Sequence, residues 1–498
     1  MKYFLVFLLS LPFVFSLGCG SSGGGADGDP GLVFFQINTG DTGWELGVTD
    51  GSSEGTKFVA DIDEGTSSSD PSVAFEDDED DEGYGDGDYT FFNGVLYFRA
   101  DDGMNGYELW RSDGSEEGTS MVANIAPGSD SSYPSDFVVY NSTLYFIANS
   151  EAEMINAKGP SGDELWKSDG SEEGTVEVYE FSNSVYELTV FKGALYFTSN
   201  DGTYGAELWR SDGSEEGTVL FKDINQEEIV GSQKAPTING SSYPDDFCVV
   251  GDTLFFTAND GVNGRELWKS DGSVAGTEMV ADLTAGSDSS GFGELVALDS
   301  SLFFAFSEGS GFHIWGAGES KKLLPSADEL WKSDGSSEGT VLVKDFSEEG
   351  NGDFSWLTPY NGELYFSADD GIYGDELWKS DGSEEGTVLV RDINEVELDI
   401  AKASINGGSY PGELSVANGL LFFSADDEVN GRQLWRSDGT SEGTAMVRKI
   451  GEEDPYVHNL RILSNEADIF SIFNKGIVFG ANDGEHGFEP WFSDGSRE

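Results

Sequence analysis

Glu108-Leu109-Trp110-Arg111-Ser112-Asp113-Gly114-Ser115-Glu116-Glu117-Gly118-Thr119 decides the fold, because the chain keeps returning to it. Copies start at Glu164, Glu207, Glu266, Glu329, Glu376 and Gln433, and a truncated one at Glu489. A weaker copy spans Glu45–Thr56, with Gly47 where the Trp stands elsewhere. By subtraction, successive starts from Glu108 lie 56, 43, 59, 63, 47, 57 and 56 residues apart. A period near fifty residues is the mark of a repeat architecture. It overrides the domain count suggested by 498 residues, because stacked units form one continuous body.

Each repeat holds four strand signals. Within residues 136–175 they are Phe137–Tyr140, Thr143–Ala148, Glu164–Lys167 and, just beyond, Val176–Tyr179, with an Asn-Ser turn after the first and an Asp-Gly turn after the third. No segment carries a long helical period with caps. Four short strands per repeat predict an all-β chain, a β-propeller of about eight four-stranded blades over residues 31–498. The N-terminal copy supplies the last three strands of a blade and the C-terminal copy the first three. A strand at residues 57–62 that completes the last blade would close a ring of eight; nine blades, or an open β-solenoid, are the alternatives.

The repeated phrase resembles the ELWxxDGTxxGT repeat family of secreted bacterial proteins, over residues 50–495. Ser usually replaces the Thr after Asp-Gly here, and Thr440 keeps it. The resemblance implies a secreted, repeat-built β protein and specifies neither ligand nor reaction. The Asp-Gly turn is also similar to the Asp-box of sialidase-type propellers, a structural hairpin.

The repeated residues read first as architecture. Trp110, Trp166, Trp209, Trp268, Trp331, Trp378, Trp435 and Trp491 are expected to form inter-blade core. Asp113, Asp169, Asp212, Asp271, Asp334, Asp381, Asp438 and Asp494 are expected to cap hairpin turns. Gly118 is expected to supply a bulge before the fourth strand. A basic residue follows the Trp in seven copies, Arg111, Lys167, Arg210, Lys269, Lys332, Lys379 and Arg436, and is expected to pair with a motif carboxylate.

A second pattern, Asp-Gly-x-x-Gly, lies between the second and third strands. It begins at Asp102, Asp201, Asp260, Asp370 and Asp483, with Asp101 and Asp369 among the preceding residues. Clustered oxygens of this kind suit Ca²⁺, the one cofactor the chain suggests, although the spacing lacks the alternating ligands of an EF-hand loop. A Gly-rich turn capped by Asp explains the pattern without metal. Catalytic constellations are not evident: His313, His458 and His486 are scattered, and no Gly-x-Ser-x-Gly elbow, P-loop or dinucleotide fingerprint occurs. The irregular loops Glu151–Gly162 and Gly309–Ala327 depart most from the repeat.

Lys plus Arg number 26 against 94 Asp plus Glu, a net charge of −68. Such a surface repels nucleic acid and anionic bilayers and favours cations and basic partners. Aromatics at 13% argue against disorder, the seven consecutive carboxylates of Glu76–Glu82 reading as a solvated loop. Residues 1–18 read as an export signal, since Phe4–Leu17 is apolar but too short for a membrane span. Ser16-Leu17-Gly18-Cys19 resembles a lipobox, which makes Cys19 the expected lipidation site and residues 19–30 a Gly/Ser-rich tether to the cell surface. Cys248 is expected to pack as a small hydrophobe. Together these features lead to the expectation of a non-catalytic, surface-anchored or secreted platform for a protein or glycan. The alternatives are a polysaccharide-active enzyme with a site in the central channel, and a structural or cation-binding envelope protein.

Overall fold

The computed structural model describes residues 32–73, 89–150, 162–226, 228–229, 238–287, 289–307, 329–346, 352–394, 407–450, 469–473, 476–482 and 488–496. The export signal, Cys19, the tether, the run Glu76–Glu82, Asp483, the three histidines and nearly all of both irregular loops lie outside them.

The described chain is all β. Eight antiparallel blades follow one another at residues 89–123, 135–180, 185–222, 245–281, 291–345, 352–391, 412–446 and 469–493. The first seven are four-stranded meanders, and the eighth has three strands among the described residues. Their first strands pack side by side in succession and form the inner wall of the propeller. The second strands are the most buried: Leu254, Phe255, Phe256 and Ala258 are representative, because sheet faces here are covered by blades on both sides.

An additional three-stranded sheet, Val33–Asn38, Trp44–Thr49 and Lys57–Ala60, precedes the first blade and packs on it through Phe34, Leu46 and Val48 against Leu96, Phe98 and Trp110. A β-carbon on Gly51 of this sheet would meet the Phe492 ring at 3.0 Å. The two ends of the series therefore touch, and the arrangement is a ring rather than an open solenoid. The strand Lys57–Ala60 pairs with Trp44–Thr49 in its own sheet, so it does not complete the eighth blade as the sequence suggested. Gly47 replaces the motif Trp because the Phe35 ring occupies that space.

Each motif Trp sits at the junction with the preceding blade. Trp110, Trp209, Trp268, Trp378 and Trp435 are buried, whereas Trp166, Trp331 and Trp491 are half-buried. Trp268, for example, packs with Phe191 and Tyr196 of blade 3. The ladder slips by one residue beside it, Leu267 facing Ala281 and Trp268 facing Met279. That slip, and not Gly118, supplies the bulge.

The turn explains the rest of the motif. Asp113 Oδ1 accepts hydrogen bonds from Ser115 N and Oγ at 3.0 and 2.6 Å. Ser115 Oγ accepts from Gly118 N, and Thr119 Oγ1 donates to Ser115 O. The carboxylate of Asp113 lies where a β-carbon on residue 118 would be, so only Gly fits there. The same contacts recur at Asp169, Asp212, Asp271, Asp334, Asp381 and Asp438, and Asp494 caps Ser496 N at 2.7 Å.

In five of the seven copies the basic residue after the Trp reaches across the junction to a carbonyl. Arg111 Nη1 donates to Gly170 O at 2.9 Å, Lys167 Nζ to Gly213 O at 3.1 Å and Lys269 Nζ to Gly335 O at 2.7 Å. Lys332 reaches Gly382 O, and Arg436 reaches Gly495 O. The expected repeated ion pair is thus a repeated inter-blade hydrogen bond. Lys379–Glu363 and Lys269–Glu278 are ion pairs as well.

Candidate functional site at the mouth of the channel

Two kinds of carboxylate that the sequence did not separate from the general acidity carry conserved geometry from blade to blade. The first is the motif Glu. Glu108 is fully buried, and its oxygens accept from Ile125 N, Ala126 N and Ser132 Oγ at 2.7, 3.1 and 2.7 Å. Glu45, Glu207, Glu266 and Glu376 do the same for Ser69, Ser242, Ser290 and Ser409. Each ties the long connection leaving its blade back to the third strand. Burial pushes these carboxyls up to about 7, against the pull of their hydrogen bonds. Gln433 makes the corresponding bond to Ile450 N without a charge.

The second kind stands on the inner strands. The inner strands of blades 2 to 7 slip register near their start, as between Asp245 and Cys248 opposite Thr257 and Phe255, whereas that of blade 1 runs in register. By that register Asp136, Glu187, Asp246, Glu294 and Glu413 are equivalent positions, and Trp356 is the exception in blade 6. Asp136, Glu187, Asp246, Trp356 and Glu413 hold φ between 53° and 65°, the left-handed region that such side chains seldom occupy. The sequence signal was an acid directly before Phe or Leu at the start of the inner strand.

The acids link neighbouring blades. Glu187 Oε2 accepts from Phe247 N at 3.3 Å, and Glu294 Oε2 from Leu357 N at 2.7 Å. Because Asp246 precedes Phe247, the Glu187 and Asp246 carboxyls are brought together at the junction of blades 3 and 4. Asp246 Oδ2 accepts from Thr257 Oγ1 at 3.0 Å. Arg265 donates to the same Thr257 oxygen at 2.6 Å and to Tyr243 O at 2.9 Å, which fixes the threonine hydroxyl toward Asp246. As whole residues Glu187 is half-buried and Asp246 exposed, while the carboxyl groups themselves are crowded by surrounding protein atoms. Burial raises Glu187 well above the usual carboxylate range, reinforced by the charges of Asp245, Asp246 and Asp136. Burial and Asp245 raise Asp246 to about 7, with Arg265 opposing. Both carboxyls lie near the start of their inner strands, on the face that carries the Asp-Gly-x-x-Gly loops.

Those loops are double turns. Asp102 Oδ1 accepts from Met104 N and Asn105 N, and its Oδ2 from Asn105 Nδ2. Asp260 repeats this with Val262 and Asn263. Asp201 and Asp370 each accept two backbone N–H groups, and Asp101 and Asp369 accept from Gly103 N and Gly371 N. Turn amides thus engage the carboxylates proposed for Ca²⁺, and no group of three or more ligands is gathered among the described residues.

No family model and no curated protein matches the chain. Solved structures similar in fold include a prolyl endopeptidase (TM-score 0.41, 11% identity, 72% of this chain and 48% of that one). Puromycin hydrolase has a TM-score of 0.37 at 12% identity, covering 80% of this chain and 58% of its own. Prolyl oligopeptidase B from Galerina marginata has a TM-score of 0.37 at 13% identity, covering 74% and 52%. The chain therefore spans about half the length of these structures. By name these neighbours are hydrolases and peptidases, and the expectation of a non-catalytic platform is corrected on this chain's residues, which bring Glu187 and the Asp246–Phe247 step together across the junction of blades 3 and 4. Their likeness is one of fold; the chemistry of this chain rests on its own residues.

Proposed function

We propose that the chain is a hydrolase of the acid–base type, acting on peptides at the mouth of the propeller channel. The observation that carries this reading is the Glu187–Asp246 pair: two carboxyls on adjacent inner strands, Glu187 reaching across to Phe247 N and raised above the usual carboxylate range, Asp246 raised to about 7. Burial and the neighbouring carboxylates favour the protonated form of Glu187, which we assign as general acid, while Asp246, raised to about 7, is assigned as general base. Asp246 would take a proton from the water that adds to the scissile carbonyl, and Glu187 would give its proton to the departing amine. Arg265 is a positioning residue, acting on Asp246 through Thr257. A net charge of −68 favours substrates that carry positive charge.

Export and a lipid anchor at Cys19 belong to the same proposal, supported by the apolar stretch Phe4–Leu17 and the Ser16-Leu17-Gly18-Cys19 signal. The resemblance to a secreted repeat family agrees with that location.

Quenched fluorescent peptides of basic, neutral and acidic composition test the activity. Turnover of the basic set is expected, with Glu187→Gln and Asp246→Asn each losing about 10²–10⁴-fold while the melting temperature is kept. Turnover indifferent to both substitutions, or no cleavage of any peptide, would remove the reading.

A further inference from the structure

Around the same face, the chain exposes apolar side chains at matching places. Met104, Val262 and Val429 occupy the position after the second residue of the Asp-Gly-x-x-Gly turn or its variant, and are 72%, 62% and 69% exposed. Ile372 holds the same place in blade 6, and Tyr243 and Tyr410 stand exposed on the connections entering blades 4 and 7. The turn explains the exposure. The amide of each tip residue points inward to the Asp carboxylate, at 2.9 Å for Met104, 2.8 Å for Val262 and 3.0 Å for Val429. Its side chain is directed away from the blade.

Each tip is held by three hydrogen bonds to one carboxylate, so it is ordered before any partner arrives, and little freedom remains to be lost on binding. Beside every apolar tip stands a fixed pair of side-chain oxygens from Asp101 and Asp102, Asn259 and Asp260, or Asp426 and Asp427. In blades 1, 4 and 7 an exposed apolar knob thus stands beside turn carboxylates. A second copy of the chain would meet like charge across the whole surface, and an anionic bilayer would be repelled.

We propose that this face binds a cationic amphipathic polypeptide, whose apolar side chains seat between the loop tips while its Lys and Arg residues meet the turn carboxylates. The inference stands apart from the acid–base reading, since none of the tip residues belongs to the Glu187–Asp246 pair.

The experiment titrates the full chain into a labelled Lys/Leu amphipathic peptide and, separately, a Lys/Ser peptide of equal charge, following anisotropy. The Lys/Leu peptide is expected to bind at least about tenfold more tightly. The triple variant Met104→Ser, Val262→Ser, Val429→Ser should lose that advantage while keeping its melting temperature, because the replaced side chains are exposed. Glu187→Gln and Asp246→Asn should bind as the native protein does, which separates this surface from the catalytic proposal. Equal binding of the two peptides, or a triple variant that binds the Lys/Leu peptide undiminished, would overturn the inference. So would concentration-dependent self-association, or binding to phosphatidylglycerol vesicles, that is abolished in the triple variant while peptide binding persists.

Discussion

The Asp113 carboxylate occupies the position that a β-carbon on Gly118 would require. One residue thereby dictates another five places along the chain, and the relationship repeats at Asp169–Gly174, Asp212–Gly217, Asp271–Gly276, Asp334–Gly339, Asp381–Gly386 and Asp438–Gly443.

Gly118→Ala should therefore destabilise the protein by about 1–3 kcal/mol, the usual cost of forcing an extra carbon into a filled site. Asp113→Ala relieves the clash but loses the turn's hydrogen bonds. The double variant should be less destabilised than the two single effects summed, a coupling that denaturant melts of the three variants would measure. Strict additivity would deny the steric link.

Buried motif carboxyls set a pH dependence. Glu108 and Glu266 have folded-state values near 7, above the ordinary 4.5, so the folded state binds their protons more tightly than the unfolded state does. Their contribution is complete below about pH 4.5 and is lost as pH rises through 7. Stability should fall between pH 5 and 8. Glu108→Gln with Glu266→Gln should flatten that fall, following the precedent of Gln433, whose Nε2 donates to Asn430 O. Melting temperatures at fixed ionic strength across this range give the answer.

Trp268 is 8% exposed and joins blades 3 and 4 through Phe191, Tyr196 and Leu208. Trp268→Ala should cost about 3–5 kcal/mol, read from urea unfolding. A change below about 1 kcal/mol would mean that the junction is held by other groups.

Asp260 accepts from Val262 N, Asn263 N and Asn263 Nδ2. If these bonds are its role, Asp260→Ala should lower stability by about 1–3 kcal/mol with or without a calcium chelator. A loss that disappears once chelator is present would instead assign the loop to calcium.

What could be read from the sequence was what is local. The Asp-Gly turn and the strand order follow from residues within a dozen positions of one another, so they survive reading one repeat at a time. The inner-strand acids were hidden because their role lies on the next blade: Glu187 meets Phe247 sixty positions away. Glu108 was hidden by abundance, one buried carboxylate among 94 acidic residues. The basic residues stand out in the sequence, but their acceptor does not. Asp113 is already engaged by Ser115, and what Arg111 finds across the junction is the Gly170 carbonyl.

The register slip near the start of the inner strands of blades 2 to 7 has a further consequence. It accepts Asp, Glu and Trp alike, at Asp136, Glu187, Asp246, Glu294, Trp356 and Glu413, while the Trp junctions and Asp-Gly turns stay the same. Packing and axial chemistry are thus separately heritable. A single codon can rewrite what one blade presents to the centre while the scaffold that carries it is left untouched, and a ring of repeats becomes a set of independently editable positions.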